Sequence, residues 1–135
     1  MTEQELNRVR EFNSKIREIE IHLTTLRNRA DDITPKFDGL PHASTIRSQV
    51  ENLALKIVEE SLQLDELHAR IVSEAANLTK EICRLVADPQ ERTVMILRYV
   101  SCMRFRDISF RMNFSDRKVF TLHHDALKNL QLPCS

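Results

Sequence analysis

Residues 88–130 read DPQERTVMILRYVSCMRFRDISFRMNFSDRKVFTLHHDALKNL, and this stretch carries the local signals that decide the fold. Asp88-Pro89-Gln90-Glu91 sets Asp at an N-cap, Pro at the first helical position and Glu at the third. That order opens a helix, because Asp accepts from a bare first-turn amide and Pro has no amide to satisfy. Val94, Leu97, Tyr99 and Val100 are its apolar contacts. A break is expected near Ser101-Cys102. A short helix fits residues 105–112, with Ile108 and Met112 inward. Asn113-Phe114-Ser115 is a tight connection, after which Ser115 caps a last helix reaching about Leu130. Phe114, just ahead of that cap, is placed to staple Val119. Val119, Leu122, Ala126, Leu127 and Leu130 share the inner face.

Upstream the pattern changes. Val9, Phe12, Ile16, Ile19, Leu23, Leu26, Ala30 and Ile33 are spaced alternately by three and four, a heptad seam without a fault. A strict seam of this kind belongs to a helix lying along a long partner. The first helix is expected over residues 4–33 and is ended by Pro35, since the residue before proline avoids the helical region. Residues 34–44 hold two Pro and the only Gly and form the one clear loop. Ser44 or Thr45 is placed to cap a second helix without a breaker up to Val86. Its stripe runs through Ile46, Val50, Leu53, Ile57, Leu64, Ile71, Ala75, Leu78, Ile82 and Leu85. Leu55, Val58, Leu62 and Leu67 widen it beyond what one neighbour needs.

The expected fold is all-α: a long antiparallel two-helix coiled-coil hairpin over residues 1–87, then a three-helix helix-turn-helix module over residues 88–135. The two long helices would be ~45 Å and ~63 Å, so ~18 Å of the second overhangs. Ala75, Leu78, Ile82 and Leu85 lie on that overhang. It must be covered by the C-terminal module or by another chain. These four residues are therefore candidates for an oligomer or partner interface, and a homodimer forming a four-helix arrangement is expected.

Composition narrows the function classes. Net charge is zero, but residues 1–88 hold 12 basic and 16 acidic residues, whereas residues 89–135 hold 8 basic and 4 acidic. The segments thus carry opposite net charge, −4 and +4, and the basic one suits a phosphate-facing surface. Cys83, Cys102 and Cys134 are odd in number and without a CxxC, so reduced thiols are expected. The first residues have no apolar signal core and no ~18-residue apolar run occurs, so a cytoplasmic protein without membrane attachment is expected. His123-His124 are adjacent, point to different helix faces and lack an HxxxH partner, so no metal is expected. No nucleophile elbow, phosphate loop or convergent carboxylate pair is present, so neither a cofactor nor an enzyme is expected.

In a helix-turn-helix the second helix of the pair projects so that its first turns enter the major groove, and the first braces it against the backbone. The inward set leaves Ser115, Arg117, Lys118, Thr121 and His124 on the outer face, together with Asp116 and Phe120. Arg117 and Lys118 stand where base edges are read. Arg104, Arg106 and Arg111 flank the bracing helix as phosphate contacts. The runs ILRYV, FRDIS and FSDRKVFTLHHDALKNL resemble region 4 of sigma-70 factors over about 40 residues. A helical hairpin followed by this module is similar to phage and prophage sigma-70-like regulators of the ArpU/RinA type. The resemblance implies binding to double-stranded DNA and contact with RNA polymerase. No counterpart of the promoter-melting region 2 is present, so a complete sigma factor is not expected. The other reading is a protein-interaction module, an inhibitor or anti-repressor, that keeps the fold without a DNA role.

Overall fold

The computed structural model describes residues 1–33 and 43–132, the side chains of residues 33 and 43–46 excepted. All the regular elements among the described residues are helices, without a strand. The elements are α1 (Glu3–Ile33), α2 (Ala43–Leu85), α3 (Pro89–Met95), a π-helical turn (Ile96–Val100), α4 (Phe105–Met112) and α5 (Asp116–Asn129). The loop expected over residues 34–44 lies outside the described residues for all but its last two positions, as do the Pro35 stop and Cys134. α2 begins at Ala43, so Ser44 and Thr45 stand inside the helix and not at its cap.

The chain packs as two compact units. One comprises Ser14–Ala69, where the α1 seam is visible: Ile16, Leu23 and Leu26 are buried. Here His22 pairs with Glu60, and His68 lies 3.9 Å from Glu20. The wide stripe of α2 is not fully covered in this unit. Leu67 is buried, but Leu55, Val58 and Leu62 are each more than half exposed.

The other unit comprises Met1–Asn13 and Arg70–Ser135. Its main core joins Leu6 and Val9 of α1, Leu78 and Ile82 of α2 with the following Val86, Met95 of α3, Tyr99, and Ala126, Leu127 and Leu130 at the end of α5. Two expectations are corrected here. The packing boundary does not fall at residue 88, because both the start of α1 and the end of α2 belong with the C-terminal helices. Leu78 and Ile82 are also not a surface awaiting a second chain. Ile82 is wholly excluded from water, and Ala75 and Leu85 pack beside it. The C-terminal helices cover the apolar overhang because burying such side chains stabilises by roughly 1.5–3 kcal/mol each. Arg8 and Glu74, and the Arg70 guanidinium over the Phe12 ring at 5.0 Å, pair α1 with α2 in this unit.

A second core holds Val94, Ile108, Val119 and Leu122, with Leu97, Met112 and Phe114 packed on it. It binds α3, α4 and α5 to one another. Polar ties complete the joints. Arg92 donates to the carbonyls of Val86 and Ala87 just beyond α2, and Asn129 at the end of α5 donates to Glu91 at 3.0 Å.

Candidate nucleic-acid interface

The connection between α4 and α5 is built by its own residues. Asn113 takes a left-handed conformation (φ 58°, ψ 40°) and its N–H donates to Phe110. The Phe114 N–H reaches back to the Ser109 carbonyl at 3.0 Å. This closes α4 in the six-to-one manner that Asn tolerates better than branched residues do. Ser115 then caps α5: its hydroxyl oxygen accepts from the Lys118 N–H at 3.2 Å. Phe114 packs on the core that contains Val119, the contact expected of a staple. α3 opens in the same way, with the Asp88 carboxylate accepting from the Glu91 N–H.

The expected contact residues are all exposed: Arg104, Arg106, Arg111, Ser115, Arg117, Lys118, Thr121 and His124. Their spacing puts Arg117, Thr121 and His124 along one line of α5. Lys118 is turned toward the connection, its ammonium 3.9 Å from the centre of the Phe114 ring. Arg106 and Ser115 are brought together in one open groove of about 620 Å³, which Phe110, Asn113 and Asp116 also line. Arg104 is tied to Asp107 at 3.2 Å, an exposed pair that phosphate can displace at little cost. The Thr121 hydroxyl donates to the Arg117 carbonyl, which leaves its oxygen free to accept. Phe120 is half-exposed, and its ring rests on Phe105 with centroids 4.9 Å apart.

Behind this face lies a site that sequence reasoning missed. His123 is turned inward and its Nε2 is 2.7 Å from the Tyr99 hydroxyl. The two rings stack, and the edge of His123 meets Phe105. Burial, then the charges of Arg98 and His124, push the imidazole down to about 4, so it is neutral at physiological pH. The Arg98 guanidinium lies 4.2 Å above the Phe105 ring centre and donates to the Met103 carbonyl at 3.0 Å. Its Nε is buried without a hydrogen-bond partner. Burial and the neighbouring charge of Arg10 push Arg98 down from its ordinary value. These groups, with Glu3, Asn7 and Phe120, line a cavity of about 300 Å³. Arg98 stands in the ILRYV run, but nothing in the sequence links it to Arg10, 88 positions away. The π-helical turn, closed by the Ser101 N–H to the Ile96 carbonyl, presents Tyr99 to this cavity.

No protein-family model matches the chain, and no curated protein or solved structure matches it either. Among the described residues no cluster of His, Cys, Asp and Glu is arranged to hold a metal ion, and no helix is long and apolar enough to cross a membrane.

Proposed function

We propose that this chain is a DNA-binding transcriptional regulator of the phage type, in which α4, the Asn113–Ser115 turn and α5 act as a helix-turn-helix carried on a two-helix coiled-coil hairpin. The observation that carries the reading is the exposure of five cations on this one helix pair. Arg117 and Lys118 lie in the first turn of α5, Arg104 stands at the N-cap of α4, and Arg106 and Arg111 lie along α4. Arg117 and Lys118 read base edges, with Thr121 and His124 on the same outer face of α5, and the arginines of and beside α4 hold phosphates. The hairpin is supported by the order of its pairs. In one unit Glu20 meets His68 and His22 meets Glu60; in the other Arg8 meets Glu74 and Phe12 meets Arg70. In both, partners descend along α2 as α1 advances. The resemblance to sigma-70 region 4 extends the proposal to contact with RNA polymerase.

The test is anisotropy of a labelled duplex at low salt. Wild type binds, and the Arg117→Ala/Lys118→Ala double variant loses most of the affinity. Absence of binding to any duplex at low salt rejects the reading.

A second reading is favoured by Phe110, which is 89% exposed on α4, and by Asp116, which opposes phosphate in the groove beside it. An interaction module would use that ring on a protein surface. Phe110→Ala would then abolish capture of one stoichiometric partner, and DNA would not bind.

We also propose a homodimer, for which the exposed Leu55, Val58 and Leu62 supply the apolar surface in place of the α2 residues first expected. Light scattering returning a monomer at high micromolar concentration rejects it.

A further inference from the structure

We propose that the cavity between Arg10, Arg98, Tyr99 and His123 is a binding site for a small organic anion, one carboxylate or phosphate head on a flat apolar body. The argument begins with charge. Two guanidinium groups are close enough for Arg10 to oppose the charge of Arg98, and neither pairs with a carboxylate among the described residues. Glu3 also lines the cavity, without an ion pair to either arginine. Glu3 is the one carboxylate in this lining against two guanidinium groups, so the cavity keeps a net positive charge that suits an anion. Arg98 is also held in place before anything binds. Its Nη1 is engaged by the Met103 carbonyl and its plane rests on Phe105, while its Nε is buried and unpartnered. A guanidinium with free donors in a fixed plane matches the two oxygens of a carboxylate or phosphate.

The rest of the lining bears on the body of the ligand. Phe120 and the neutral, Tyr-bonded His123, with Phe105 beneath Arg98, add ring surface to the cavity, which suits an aromatic ring. At about 300 Å³ the cavity stands at the small end of ligand pockets, room for a single-ring acid. The site does not depend on the DNA reading: Phe120 is shared with the outer face of α5, but none of Arg10, Arg98, Tyr99 and His123 belongs to that face.

The test is titration calorimetry on the full chain, with His123 and arginine side-chain resonances followed by NMR. The probes are benzoate, phenyl phosphate, inorganic phosphate and neutral benzamide. The expected result is saturable binding of benzoate or phenyl phosphate below about 10 mM, with benzamide and inorganic phosphate each weaker by about tenfold or more. Which of the two aromatic anions binds more tightly identifies the head group. Arg98→Gln and Arg10→Gln should each weaken that binding by about tenfold, with the melting temperature as a control for folding. Arg10 is on the first helix and only half-buried, so its variant carries the test if Arg98→Gln fails to fold. No saturable binding of either aromatic anion, equal binding of benzamide, equal binding of inorganic phosphate, or anion binding unchanged in the Arg10 variant overturns the proposal.

Discussion

Val94, Ile108 and Val119 are wholly excluded from water and meet in one small core, so Ile108→Ala should leave a cavity and destabilise the chain by about 2–5 kcal/mol. Denaturant melts compared with wild type check this, and a loss well under 1 kcal/mol would mean that the core is looser than described. His123 makes a prediction in pH. Its folded value near 4 lies below the ordinary 6.5, so between those values the unfolded chain takes up a proton that the folded chain refuses. Stability from this group is therefore complete above pH 6.5 and declines as pH falls toward 4. Thermal melts over that window should fall less steeply in His123→Gln than in wild type, and parallel curves would contradict the assignment. At this scale the sequence was partly legible. Inward residues of α5 and the outward Arg117, Thr121 and His124 follow from a 3.6-residue period. Met95 and Leu6 are buried although they lie outside the apolar stripes read from the sequence, and Arg10 and Arg98 come to line one cavity only through tertiary packing.

Among the elements, the caps are the most legible features, because a cap is decided by three or four consecutive residues. Ser115→Ala should cost about 1 kcal/mol by freeing the Lys118 amide. Asn113→Gly should be nearly neutral, whereas Asn113→Val should cost about 1–2 kcal/mol because its φ is positive. Melting of the three variants checks the order, and an Asn113→Val protein as stable as wild type would contradict the turn geometry. The π-helical turn at Ile96–Val100 was not legible as such. Its sequence, ILRYV, reads as ordinary helix; in the fold Ile96, Tyr99 and Val100 join one core while Leu97 joins the other.

For the whole molecule, the boundary at residue 88 was readable as a helix start but misleading as a unit boundary. Local signals mark where helices begin; they do not say which helices share a core. Leu6, Val9, Leu78, Ile82 and Val86 complete the core of the C-terminal helices, so a fragment of residues 88–135 should lack a cooperative thermal transition that the full chain shows. Circular dichroism decides it, and a fragment as stable as the parent would restore the simpler division. The heptad seam of α1 pointed to a long helix with a partner along it; the surplus width of α2 pointed to a second neighbour, whereas Leu55, Val58 and Leu62 are exposed. The central claim, that the α4–α5 pair engages duplex DNA through exposed cations, is tested most directly by the salt dependence of binding. With three to five phosphates engaged, log affinity should fall linearly with log salt at a slope of about −3 to −4.5, and Arg111→Ala should reduce that slope by about one. A binding constant indifferent to salt, or no binding at about 50 mM salt, would contradict it.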